Sequence, residues 1–250
     1  MKHTKIALFV LAVCAIAFAN ACKKDPDPVV TPTGTLMFHI HTYIDSAEVD
    51  AGAVRPDADG RHFQLDEAKL LISGIKLKKS DGTYQAVDNV YVLKTIEKEE
   101  YTIGAVPAGN YVGVSFNIGV DATANAKAPT SFTSPNPLAD ATNWFGSTSQ
   151  GYIFANVQGK ADVSAGQTGP VDQSFSYQLG SSAMLKTVTL PDKAFSVVAN
   201  QEAIVHLLAD YGLMLKGIDF KTQSVGSPLT NSAVAQKVAD NVPNIFRYEE

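Results

Sequence analysis

Met37, His39 and His41 occupy alternate positions in residues 35–43. In an extended chain, residues i and i+2 share a face, so both imidazoles and the thioether project one way, with Tyr43 following them. Leu36, Phe38 and Ile40 project the other way and commit that side to a core. Imidazole nitrogen binds copper in either oxidation state and a thioether suits copper(I), so this set is copper-compatible. Such a set does not close a site by itself; His62 or His206 would have to arrive from another strand. Zinc would want a third or fourth nitrogen or carboxylate. The competing reading is two histidines on a half-exposed strand face, solvated or bonded to their neighbours. His206 alternates with Ile204 and Leu208, shares their face, and is expected to be a satisfied core histidine. Trp144, alone at the end of a long loop, is expected to plug a packing gap.

Catalytic signatures are missing. The chain has no HExxH, no GxSxG, no Walker loop and no dinucleotide fingerprint. Asp57-Ala58-Asp59-Gly60 resembles the start of a calcium loop, but position twelve of an EF-hand would be Ala68 rather than Glu. A polar turn is expected there instead. Glu97, Glu99 and Glu100 with Lys98 read as a solvated face. Nothing nominates a nucleophile or an acid–base pair, so the chain is expected to bind rather than catalyse.

Residues 1–21 read as a secretory signal. Lys2 and Lys5 precede a charge-free apolar run over residues 6–18, and small Ala19 and Ala21 lead to Cys22. The run is shorter than the roughly 20 residues a transmembrane helix needs. A cysteine here is the acylation site of a bacterial lipoprotein, and the competing reading is a free secreted protein cut near Ala21. Residues 22–34 carry Pro26, Pro28 and Pro32 among alternating charges and read as a stiff solvated tether. The domain would then hang from a cell-envelope membrane, the outer membrane being the expected one, by an N-terminal lipid. Cys14 leaves with the signal and Cys22 takes the lipid, so the mature domain has no cysteine pair or thiol nucleophile. Without residues 1–21, 18 basic side chains face 25 acidic ones. That mild acidity has no basic stripe and excludes nucleic acid.

The elements that must position the histidines read as all-β. Besides residues 35–43, strands are expected at 71–77, 84–93, 112–118, 151–157, 173–179, 184–190, 195–199 and 203–208. Asp81-Gly82 marks a hairpin, and Val106-Pro107-Ala108-Gly109-Asn110 a turn. Val112, Val114, Phe116 and Ile118 alternate with Gly113, Ser115 and Asn117. A helix at 233–239, capped by Asn231 or Ser232 and stopped by Pro243, closes the chain. Residues 122–143 read as a long loop. About nine strands with turns between them predict one two-sheet, immunoglobulin-like β-sandwich over residues 35–250, with a short C-terminal helix.

Several short runs, in order, resemble the MbnP-like family of extracytoplasmic β-sandwich proteins. They are Leu71-Ile72-Ser73-Gly74-Ile75-Lys76-Leu77 with Asp81-Gly82, Val106-Pro107-Ala108-Gly109-Asn110-Tyr111, and Asn117-Ile118-Gly119-Val120-Asp121 with Asn125. Asn136-Pro137-Leu138, Trp144 with Gly151-Tyr152-Ile153-Phe154, and Asn244-Ile245-Phe246 continue the series. The resemblance implies an immunoglobulin-like sandwich and, in copper-binding members, copper held by histidines beside an oxidised tryptophan. It also implies a di-haem peroxidase-like partner. The chain departs from the copper-binding pattern in three places: no histidine follows Trp144, Tyr177-Gln178 precede Leu179-Gly180, and Asn136 precedes Pro137. A lipid-anchored copper-binding protein is the function these features favour; the other reading is a metal-free interaction module presenting its long loop to a protein or glycan.

Overall fold

Every second residue from 34 to 44 is buried in the computed structural model, which describes residues 31–249. Cys22, the signal at 1–21 and most of the 22–34 tether lie outside the described residues. In chain order the strands are β1 (Thr33–Ile44), β2 (Ala47–Glu48), β3 (Arg55–Pro56), β4 (His62–Lys79) and β5 (Tyr84–Val87). Then come β6 (Val92–Lys94), β7 (Glu100–Pro107), β8 (Gly109–Ile118), β9 (Ile153–Ala161) and β10 (Gln173–Gly180). The last are β11 (Lys186–Thr189), β12 (Phe195–Val197), β13 (Glu202–Asp210), β14 (Val225–Gly226) and β15 (Phe246–Tyr248).

They form the expected all-β, two-sheet sandwich. One sheet runs β15-β13-β1-β2, with β7 also paired to β1. The other runs β11-β8-β4-β9-β10-β14, with β3, β5 and β6 along β4 and β12 along β8. β1 is parallel to β13 and antiparallel to β2 and β7. Its inward residues Leu36, Phe38 and Ile40 are fully buried and share one core with Phe63, Leu70 and Ile72 of β4 and Val114, Phe116 and Ile118 of β8. Phe116 links the sheets: its ring lies 6.0 Å from that of Phe38 and meets Phe246 edge-on at 4.9 Å. No helix among the described residues is long and apolar enough to cross a membrane.

Local chemistry explains where the elements differ from expectation. The Asp81-Gly82 hairpin is present: Lys79 N–H donates to the Thr83 carbonyl at 2.8 Å, and Gly82 takes the left-handed corner at φ +85°. The strand expected over 84–93 is two strands, because Asn89 adopts φ +59° and breaks the ladder into β5 and β6. In β8, Val114, Phe116 and Ile118 face the core, but Val112 does not join them. Lys78 pairs with Gly113 and Lys79 with Tyr111, so Val112 is a bulge residue and Tyr111 is buried instead. Residues 122–143 hold four short helical turns, three of which are capped at their N–H groups by the Asp121, Asn136 and Asp140 side chains. The terminal helix is longer than expected, Ser232–Asn241; Asn231 precedes it in the left-handed region without a capping side-chain bond, and Pro243 lies in the 3-10 turn that follows.

Lys94 ends β6 fully buried beneath β1. Its Nζ donates to the Thr42 hydroxyl and, at 2.8 Å, to the Thr95 carbonyl. It also lies 5.8 Å from the centre of the Tyr211 ring. Loss of water around the ammonium pushes its pKa from 10.5 down to about 7, although Glu99 and Glu97 favour the charged form. Below about pH 7 both folded and unfolded chains carry this proton, and the folded state bears the whole burial cost. Between about 7 and 10.5 the unfolded chain keeps a proton that the folded chain has lost, so stability rises with pH.

Two stability measurements test this core. Phe116→Ala removes the ring that joins the sheets and is expected to lower the unfolding free energy by about 3–5 kcal/mol in urea titration; a loss under about 1 kcal/mol would show that Phe116 does not carry the packing. For Lys94, urea stability should climb between pH 7 and 9 by up to roughly 1.4 kcal/mol per pH unit. Lys94→Met should flatten that climb, and an unchanged slope in the variant would assign the pH dependence elsewhere.

Candidate metal centre

The outward face of β1 carries the chemistry. Because Phe38 and Ile40 are held in the core, His39 and His41 must project to the other side, and their rings lie 4.5 Å apart. Met37 shares that half-buried face, opposite Thr102 of β7 and Ile204 of β13. Glu99 is brought alongside by the backbone, where Ile40 N–H donates to the Glu99 carbonyl at 2.8 Å just before β7 begins. His39 Nε2–H then donates to Glu99 Oε2 at 3.1 Å. His39, His41 and Glu99 each offer a ligand atom, and these atoms all lie within 4.8 Å of one another. The expected solvated face at residues 97–100 is therefore corrected at Glu99, whose side chain belongs to the histidine cluster.

Other carboxylates complete the setting. His41 Nδ1–H donates to Glu48 Oε1 at 2.6 Å, placed there by the tight turn that pairs Tyr43 with Glu48. His41 Nδ1 also lies 3.6 Å from Glu99 Oε1. Partial burial resists charging of His41, but the Glu48 hydrogen bond and the fields of Glu48, Glu249 and Glu99 outweigh it and raise its pKa above 6.5. The hydrogen bond from His39, with the fields of both histidines, holds the Glu99 carboxyl below its usual range despite its partial burial. Two imidazole nitrogens and a carboxylate oxygen form a donor set that suits copper(II) or zinc, and copper(II) binds such N/O sites most tightly among divalent first-row ions.

His206 is a correction. It is not a core histidine: Ala203, Val205 and Leu207 face inward, while Ile204 and His206 face out, and the His206 side chain is 48% exposed. The parallel ladder pairs His206 with His39, and their rings lie 5.1 Å apart. His62, the other possible recruit, sits at the start of β4 in the opposite sheet and is outside the His39–His41–Glu99 group.

The remaining residues singled out in the sequence have structural roles. Asp57 accepts from the N–H groups of Asp59 and Arg61 and pairs with the Arg61 guanidinium, so the Asp57–Gly60 segment is a polar turn whose carboxylate is already engaged. Trp144 packs against the core and bridges to Tyr152, as expected of a packing residue. Asn136 caps a turn by accepting from Leu138 N–H, and the Tyr177 hydroxyl donates to the Gln223 carbonyl at 2.8 Å.

Known proteins agree with this architecture. MbnP from Methylosinus trichosporium has the same fold, with a TM-score of 0.55 at 15% identity over 78% of this chain and 81% of that one. A comparison with curated proteins returns no match. The MbnP family matches residues 33–233, well over half of the sequence, and the chain belongs to that family.

Proposed function

We propose that this protein is an exported, lipid-anchored copper-binding protein of the cell envelope that binds without catalysing a reaction. The observation that carries the reading is the convergence of His39, His41 and Glu99 donor atoms within 4.8 Å on an outward sheet face. Membership of the MbnP family supports copper as the ion. When bound, copper would supply a redox-active centre that a partner could load or read. The chain's own residues do the rest: His39 and His41 give nitrogen, Glu99 gives charge and oxygen, and Glu48 stands 2.6 Å from His41 Nδ1 as a further carboxylate at the site. Met37 stands beside them as the thioether that copper(I) would favour. A di-haem peroxidase-like protein is the partner that the family resemblance suggests, and Cys22 is the proposed acylation site for the outer-membrane anchor.

A chelator competition tests the ion. His39→Ala/His41→Ala should weaken copper(II) binding by more than the roughly 10–100-fold that loss of an outer-shell partner costs. Its thermal midpoint should stay close to wild type, because Leu36, Phe38 and Ile40 are untouched. Wild-type affinity in the double variant would move the site elsewhere, and no copper affinity in the unaltered protein would favour the interaction module with its 122–143 segment.

The anchor has its own test. Cys22→Ser should shift the protein from the membrane fraction to the soluble fraction. If the variant remains with membranes through a high-salt wash, the lipid anchor is wrong.

A further inference from the structure

The sheet face that carries His39, His41 and Glu99 also carries a second histidine–carboxylate group. Glu249 Oε2 lies 3.4 Å from His206 Nδ1 and 3.7 Å from His41 Nε2. The backbone sets this geometry. Leu207 pairs with Tyr248 across β13 and β15, and Glu249 N–H donates to the His206 carbonyl at 3.2 Å. Donors about 2.0–2.1 Å from one tetrahedral ion are about 3.4 Å apart, so the spacing of Glu249 from each nitrogen suits a shared cation better than a hydrogen bond. His206 and Glu249 also line an open cleft of about 330 Å³ with Lys193, Phe195, Ile204 and Tyr248, which gives this end of the cluster access to solvent.

His41 stands between the two groups. Its Nδ1 faces Glu48 at 2.6 Å and Glu99 at 3.6 Å, while its Nε2 faces Glu249 at 3.7 Å. We propose that this face holds two metal ions that share His41: one between His39, Glu99 and His41 Nδ1, the other between His41 Nε2, His206 Nδ1 and Glu249. The proposal rests on the metal-binding reading above and extends it. A neutral imidazole offers one lone pair; the first ion takes it at Nδ1, and the proton that Glu48 accepted there moves through water to Nε2. The second ion displaces the remaining ring proton, which passes to water and leaves a bridging imidazolate. Charge then closes, since Glu48, Glu99, Glu249 and the imidazolate carry four negative charges against two divalent cations. Glu249 lies beyond the residues that the family matches, 33–233, so the second position depends on this chain's own C-terminal strand.

Equilibrium dialysis of the mature, exported protein against copper(II), with elemental analysis, reads the stoichiometry directly. Two ions per chain are expected, falling to one in His206→Ala/Glu249→Gln; Glu249→Gln alone, nearly isosteric, should weaken the second ion at least tenfold and leave the first unchanged. Spin coupling across the shared ring should make the electron paramagnetic resonance signal at two equivalents smaller than that of two isolated copper(II) ions. One ion in the unaltered protein, two ions in the double variant, or two uncoupled ions would each overturn the shared-ring pair while leaving copper binding intact. No bound copper at all would overturn both this pair and the reading on which it rests.

Discussion

The strict alternation of β1 is the constraint on which the rest depends. Leu36, Phe38 and Ile40 are withdrawn from water completely, and each buried side chain of this kind is worth about 1.5–3 kcal/mol. A slip of one residue would expose all three and bury Met37, His39 and His41 in their place. The imidazoles are thus held outward by the core beneath them, with no need for a ligand to fix their face. β1 also has hydrogen-bonded neighbours on both sides, so the histidines sit on a rigid part of the sheet.

Those neighbours decide what the histidines meet. The antiparallel pairing with β7 delivers Glu99, the turn into β2 delivers Glu48, and the parallel pairing with β13 sets His206 level with His39. β15 then brings Glu249 against His206. The result is three imidazoles interleaved with three carboxylates at 2.6–3.7 Å. Without a metal, His39 donates to Glu99 and His41 to Glu48. A cation that took over those nitrogens would meet oxygen donors already in place, which lowers the reorganisation that binding requires.

The inner side of the same strand carries the opposite arrangement. Lys94 donates to Thr42, the residue directly after His41, from a site with no exposed surface. A lysine there is costly, since burial disfavours its charge strongly enough to bring its pKa to about 7. Its hydrogen bond to Thr42 ties β6 of one sheet to β1 of the other. Among the described residues, three of the four histidines stand on β1 and β13, and His62 is on β4.

Period-two patterning alone was enough to identify β1, its buried face and the side on which Met37, His39 and His41 project. Period-two runs also gave the all-β class, turn chemistry the Asp81-Gly82 hairpin, and capping and breaker residues the terminal helix. The same pattern misled at β13, where apolar Ile204 and Leu208 flank His206 and the true inward set, Ala203, Val205 and Leu207, is no more apolar. It was silent on Asn89 and on the bulge at Val112, which are set by backbone conformation and ladder register. The partners of the histidines were beyond it altogether. Glu99 and Glu249 are 60 and 210 residues from His39, and no local rule says which strand lies beside which or in what register. Tertiary pairing alone decided that an acidic run read as solvated surface would supply the carboxylate between two imidazoles.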